Sequence, residues 1–391
     1  MNILFVTIDG DPLYAGGTAT IVQAMARWFQ NQGHYCAIGF FEEREHPSTF
    51  FKDRLYLTEE NISKIQLMNN KHPFDILYIT KCIGIDWAFL RKCFPHAKLI
   101  AAYHNRPMLM CTPKDELLKF AESSKNRIEK IKLYAYCALY PLYKAYIQNK
   151  ERRSFREIVL HADKIQLLSE GFRPVFKKLM PRTHDEQIVC IGNPVMWNKK
   201  ATKEIIAKKC KEILVVCNAN HQKRAHLMIE IWRRIESDPL LADWTFTFVG
   251  DSLEVQRLKK KAICEYQLQR IRFEGRQNPE LYYESASIFI MTSWFEGWPM
   301  VLMEAMPMGV VPIAFNSFES LSDIISDKDN GIIIPDNNIE KYVAGLKWLM
   351  THPNELQNMA INATKIADRY SLDKIMNQYD CLFTALKQDK H

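Results

Sequence analysis

No run of about 18 consecutive apolar residues, the length a helix needs to span a bilayer, occurs in this 391-residue chain. No membrane-crossing helix is therefore expected. No secretory leader is expected either. The N-terminus, MNILFVTIDGD, goes straight into a short apolar run from Ile3 to Ile8 that Asp9 closes, so it reads as a strand and not as a secretory signal. The ten cysteines form no Cys-x-x-Cys pair and no Cys/His cluster at zinc spacing, which leaves a structural zinc site or a disulfide framework without support. A reduced, cytoplasmic protein is expected. Low-complexity segments are also absent.

What is present is an ordinary globular composition, 47% hydrophobic and 25% charged, which excludes extensive disorder. The length is more natural for two cores than for one. The net charge of +7 is concentrated. Lys125 to Arg156 holds nine basic residues against two acidic ones, enough to account for the whole excess. Five tyrosines (134, 136, 140, 143 and 146) lie among Lys130, Lys132, Lys144, Lys150, Arg152, Arg153 and Arg156. Basic residues beside interfacial aromatics suit an anionic membrane surface. A solvated helix face over a core stripe gives the same composition. No nucleic-acid motif is present.

Along the chain, short apolar runs alternate with amphipathic stretches. NILFVTI (2–8), CAIGFF (36–41), DILYIT (75–80), AKLIAAYH (97–104) and DKIQLLS (163–169) are expected strands, and residues 18–34 an amphipathic helix ending near Gly33. The pattern restarts at 187–195 and continues through EILVVC (212–217), WTFTFVG (244–250), IRFEG (271–275), ASIFIMTS (286–293), VVPIAF (310–315) and GIIIP (331–335). Continuous apolar strands separated by helices imply parallel sheets covered on both faces. The chain is thus expected to be α/β, with two doubly wound domains facing a central cleft. The N-terminal one covers 1–190, the C-terminal one 191–370, and a final helix over 371–391 packs back on the first.

The stretch SWFEGWPMVLMEAM, Ser293 to Met306, holds two carboxylates. Glu296 sits in a turn, and Glu304 sits in an apolar helix that Pro299 can begin. The pair could be an acid and a base, or could hold two parts of one ligand. Glu304 could equally belong to a structural ion pair. Free N–H groups at the helix start suit an anion. Gly16-Gly17 is not part of a G-x-G-x-x-G, so a dinucleotide fingerprint is disfavoured. His104 closes a strand, where a structural role is the commoner one. Asp9-Gly10-Asp11 imitates an Asp-x-Asp metal motif but follows a first strand and reads as turn chemistry.

The Glu-x7-Glu spacing of FEGWPMVLMEAMPMG resembles the donor-site motif of family 4 of the retaining GT-B glycosyltransferases. YAGGTATIVQAMARWFQNQGH, CNANHQKRAHLMIEIW, FVGDS, IRFEGRQNPELYYESASIFIMTS and NGIIIP are similar to that family's further segments, in the same order. The likeness covers nearly the whole chain and is looser between 42 and 185. It implies that Glu304 binds the ribose of a nucleotide sugar, Glu296 the transferred sugar, and the N–H groups of Met300, Val301 and Leu302 the diphosphate. Lys223 matches the family's phosphate-neutralising lysine. Asn218 stands where an arginine is usual, which leaves Arg224 or Arg276 to supply the missing charge. Gly16 and Gly17 correspond to the loop approaching the donor phosphates, and His104 to a histidine near the reacting sugar.

The implied activity is transfer of a sugar, with retention, from a UDP-sugar to a hydroxyl of a growing, lipid-linked, cell-surface glycan. No metal or other cofactor is implied. The implied partners are the nucleotide sugar, the glycan acceptor and an anionic membrane at the inner face of the plasma membrane, not nucleic acid. A nucleotide-sugar epimerase of the same fold and a non-catalytic sugar-nucleotide-binding protein are the alternatives.

Overall fold

The computed structural model describes residues 1–9, 17–42, 50–80, 82–107, 112, 114–124 and 126–389. Gly16, Lys125 and the Gly10-Asp11 part of the Asp-x-Asp look-alike lie outside them. The chain divides into two compact units, Met1–Ile191 with the tail from Tyr379, and Gly192–Gln378.

The N-terminal unit is built on a seven-stranded sheet. Its strands are β1 (Asn2–Asp9), β2 (Tyr35–Glu42), β3 (Arg54–Tyr56), β4 (Ile76–Ile79), β5 (Lys98–Tyr103), β6 (Lys164–Leu167) and β7 (Ile188–Cys190). Their order is β3-β2-β1-β4-β5-β6-β7, all parallel. Ile3, Leu4, Phe5 and Val6 of β1 are all fully buried, as expected for a central strand covered on both faces. The helix Gly17–Asn31 turns Ile21, Val22, Met25, Ala26 and Phe29 inward, the spacing of one helical face. Gly33, at φ 81°, ends it. The last helix, Leu372–Gln388, adds Tyr379 and Phe383 to this core. Phe383 stacks on Phe29 at 5.2 Å, and the Tyr379 hydroxyl lies 3.3 Å from that of Tyr78.

The C-terminal unit repeats the plan with β8 (Cys210–Val216), β9 (Thr245–Val249), β10 (Ile271–Gly275), β11 (Ala286–Met291), β12 (Val311–Asn316) and β13 (Ile332–Pro335). The order is β10-β9-β8-β11-β12-β13, again all parallel. Trp232, Phe246, Phe248, Ile288, Ile290, Ile313 and Tyr342 are central in its core. At Gly250, φ is 145° and an added Cβ would stand 1.9 Å from the Cys217 carbonyl oxygen. Only glycine allows the loop after β9 to press that closely on the end of β8.

Three local readings change. The short edge strand β3 was not anticipated, since three residues carry too little pattern to read. The run 187–195 forms a strand only at Ile188–Cys190; beyond it, the Val195 N–H donates to the Tyr370 carbonyl. The helix Leu253–Lys260 continues as a π-turn over Lys261–Glu265, which the sequence pattern does not announce.

Candidate active site

In both sheets the strand order reverses beside the first strand, so the crevice outside the carboxyl ends of two neighbouring strands is the expected ligand position. In the C-terminal unit those strands are β8 and β11. Two loops follow them, 217–224 and 292–299, and they are bonded to each other. The Trp294 N–H donates to the Gln222 carbonyl at 2.7 Å. The Thr292 hydroxyl points at the Lys223 and Arg224 carbonyls, 2.9 and 3.1 Å away.

Arg224 pins this junction. It is buried and has left-handed backbone, φ 47°, a conformation that costs a non-glycine residue about 1–2 kcal/mol. Its Nε donates to the Thr292 carbonyl (2.7 Å), Nη2 to the Ser293 carbonyl (3.1 Å) and Asp336 (2.7 Å), and Nη1 to Asn337 (2.7 Å). The guanidinium also covers the Phe315 ring at 5.3 Å. Its charge and most of its donors are therefore committed within the protein. Of the two arginines considered for the place left by Asn218, only Arg276 is exposed and without a hydrogen bond or ion pair among the described residues. It follows β10, two strands from β8. Asn218 itself is exposed just beyond β8.

Glu296 is buried at 7% exposure, yet both its oxygens have donors. Lys223 Nζ lies 2.6 Å from Oε1, and Gln222 Nε2 lies 3.2 Å from Oε2 while also reaching the Phe295 carbonyl at 2.9 Å. A buried carboxylate is tolerated as an ion only under such pairing. Lys223 makes no other side-chain hydrogen bond among the described residues, so two of its three N–H donors remain open.

Glu304 is less well satisfied. It sits on the helix Met300–Ala305, and one oxygen accepts from the Tyr283 hydroxyl at 3.0 Å. The other accepts nothing among the described residues. Burial raises its carboxyl above the ordinary range, and the Tyr283 bond only partly opposes this. Tyr283 in turn is pushed well up by burial and by the charge of Glu304. Trp197 meets the Tyr283 ring edge-on at 5.4 Å. A desolvated carboxylate with one vacant acceptor oxygen suits a ligand that presents hydroxyl donors.

At the start of the same helix, Pro299 offers no side-chain cap. The Leu302 N–H is already taken by the Pro299 carbonyl at 3.0 Å, which corrects the expectation that it faces an anion. Met300 and Val301, the first two helical positions, keep theirs free for one. Beside them Asn193 is buried, with Nδ2 3.7 Å from the Met300 sulfur and no partner for Oδ1 among the described residues.

His104, in the N-terminal unit, closes β5. Its Nε2 is 3.4 Å from the Tyr78 hydroxyl, and its buried Nδ1 has no partner among the described residues. Burial lowers its pKa to about 4, so the ring is neutral at ordinary pH. Gly17 opens the first helix. The basic cluster lies on two helices joined at Leu139, Arg127–Ala138 and Tyr140–His161. Lys132, Lys144, Lys150, Arg152, Arg153 and Arg156 are exposed and Lys130 half-buried. Among the described residues no three His, Cys, Asp or Glu side chains gather as a metal site.

Residues 198–366 match the family model described as Glycosyl transferases group 1. An uncharacterized glycosyltransferase of Haemophilus influenzae is 29% identical over 223 residues, covering 56% of this chain and 61% of that protein. An alpha-1,4-N-acetyl-D-galactosaminyltransferase of Campylobacter jejuni, whose name carries a saccharide on PP-undecaprenol, is 20% identical over 249 residues, 62% of this chain and 66% of its own. Each match spans less than two thirds of the relative. The Anabaena protein HepE, in complex with UDP, superimposes with a TM-score of 0.70 at 15% identity, over 98% of this chain and 100% of HepE. The fold is GT-B.

Lys223, Glu296 and Arg224 thus meet at one junction, while Glu304 is bonded to Tyr283. Sequence reading did not single out Gln222, Tyr283, Asp336 or Asn337. Gln222 adjoins Lys223 and had a local signal. The other three reach the site only through tertiary contacts.

Proposed function

We propose that the chain is a retaining hexosyltransferase that moves a sugar from a UDP-sugar to a hydroxyl of a growing, lipid-linked, cell-surface glycan. The observation that carries this reading is Glu304, a desolvated carboxylate with one protein hydroxyl and one vacant oxygen. Paired ribose hydroxyls would complete it, each hydrogen bond to a charged group being worth roughly 1.5–3 kcal/mol.

In this scheme the diphosphate meets Lys223 and the N–H groups of Met300 and Val301. Donor binding draws Lys223 away from Glu296, whose Oε1 then accepts from the transferred sugar. Arg276 is the free cation that adds to the clamp. Preorganised positive charge stabilises the leaving diphosphate, and the departing phosphate oxygen takes the acceptor's proton as the acceptor attacks from the same face. Neither glutamate acts as a general base, and no metal takes part. From the N-terminal unit, His104 offers a neutral imidazole to the sugar or acceptor. The Campylobacter relative's name supports a diphosphate-lipid acceptor, and HepE's ligand supports a uridine donor.

A panel of nucleotide sugars, scored by thermal shift and then by sugar release with and without EDTA, tests the reading. One UDP-sugar should raise Tm and be turned over equally in EDTA. An isomerised donor would indicate an epimerase, and binding without turnover a non-catalytic protein.

A further inference from the structure

The helix Tyr140–His161 has 22 residues and is about 33 Å long, but only its second half belongs to the core. Phe155 and Ile158 are fully buried, whereas no residue from Tyr140 to Lys150 is. The buried half lies along the helix Trp87–Cys93, which leaves the carboxyl end of β4. Arg91, near the far end of that helix, donates to the His161 carbonyl at 2.5 Å. Trp87, at the near end, borders the same space as Arg153 and Ser154. Arg153 and Arg156 therefore stand at the carboxyl edge of the N-terminal sheet, beside β4, where open α/β sheets take ligands.

An open hollow of about 420 Å³ lies there, lined by Gly84, Ile85, Trp87, Arg153, Ser154 and Arg156 among others. Neither guanidinium has a hydrogen bond or ion pair among the described residues. Arg91, Arg173, Arg224 and Arg270, by contrast, are all bonded. The one carboxylate in the lining, Glu157, is turned toward His161 at 3.7 Å. The Gly84 and Ile85 N–H groups also donate to no protein acceptor among the described residues. Two planar, five-donor cations with free backbone N–H groups in the same lining match a phosphate or diphosphate better than a neutral sugar.

We propose that this hollow binds the phosphate or diphosphate through which a lipid carrier bears the acceptor saccharide. The proposal rests on the glycosyltransferase reading and adds the group by which the acceptor is held. The exposed first half of the same helix, with Leu142 and Tyr146, offers apolar surface to the lipid chain. An anionic membrane lipid presents the same phosphate chemistry, so the test separates the two sources.

Farnesyl diphosphate, a water-soluble isoprenoid diphosphate, would be titrated into the whole protein by calorimetry with UDP present at saturation. Wild type should bind it. Arg153→Gln with Arg156→Gln should weaken that binding roughly ten- to a hundredfold, as expected for losing two charge-assisted contacts, and leave UDP affinity unchanged. Both side chains are exposed, and circular dichroism would verify that the fold is kept. Absence of binding to wild type, or equal binding to the double variant, overturns the proposal. Sedimentation with phosphatidylglycerol vesicles is the second arm. If the double variant loses vesicle binding and farnesyl diphosphate does not compete with the vesicles, the hollow serves membrane lipid and the acceptor assignment fails. UDP binding reports on the glycosyltransferase reading separately: its absence from wild type would sink that reading while leaving the farnesyl diphosphate result interpretable.

Discussion

Lys223 Nζ lies 2.6 Å from Glu296 Oε1, joining the loop after β8 to the loop after β11. The lysine matched to the donor phosphates is thus paired with the glutamate matched to the transferred sugar. Glu296 is the more buried partner, with 9% of its side chain exposed against 24% for Lys223. The two substitutions should therefore differ. Lys223→Ala leaves a buried carboxylate without its cation and should cost about 2 kcal/mol of stability, after allowing for the lysine's exposure. Glu296→Gln keeps shape and hydrogen bonding, and should cost less stability but lower kcat more than donor KM. Denaturant melts and initial rates on both variants decide. A larger stability loss for Glu296→Gln would contradict this order.

On the proposed ribose assignment, Glu304 should make donor binding depend on pH. Its carboxyl is raised by burial in the free protein, and hydroxyls donating to the carboxylate would lower it in the complex. A group whose pKa falls on binding releases a proton, so UDP affinity should be full above the raised pKa and fall as pH drops through it. Calorimetry in buffers of different ionisation enthalpy should show proton release as pH falls through that raised value. Glu304→Ala should weaken UDP binding roughly tenfold or more and abolish this pH dependence. Affinity at the wild-type level would remove the ribose assignment.

In the absence of ligand the same shift works against folding. A carboxyl raised in the folded state costs stability as pH rises above its unfolded value, because the folded protein must bury the ion. Glu304→Gln should therefore stabilise the free protein at neutral pH, with the gain shrinking toward acid. Thermal melts across pH, without nucleotide, read this directly.

Arg224 is held by Thr292, Ser293, Asp336 and Asn337. Lysine cannot reproduce that fork, so Arg224→Lys should lower stability by about 2–3 kcal/mol and reduce activity through displacement of the junction. A variant with wild-type melting and lost turnover would instead place Arg224 in direct contact with substrate.

The two basic helices also carry Lys132, Lys144 and Lys150, with Ile128, Leu142 and Tyr146 exposed on them and Leu139 exposed at their junction. Replacing the three lysines by glutamine should reduce sedimentation with anionic vesicles at low salt and matter less at high salt. Unchanged sedimentation would remove the membrane contact.

Both Rossmann-like sheets were legible because their strands are short apolar runs, such as Ile3–Val6 and Ile288–Ile290, and burial on two faces leaves that mark in one dimension. Glu296 and Glu304 were legible for the opposite reason, as carboxylates in apolar or turn contexts that solvation disfavours. Sequence alone thus determined the fold class, the two-fold repetition of the β-α-β plan and the location of the carboxylates. Tertiary structure decided what each charge faces. Arg224 and Arg276 looked equivalent along the chain, but Asp336 pairs with the first and Asn337 accepts from it, while the second has no such partner among the described residues. Glu296 gained Lys223 and Gln222, while Glu304 gained only Tyr283. Pairing depends on which loops a parallel sheet carries to the same edge, and residues more than a hundred positions apart meet there without any local pattern to announce it.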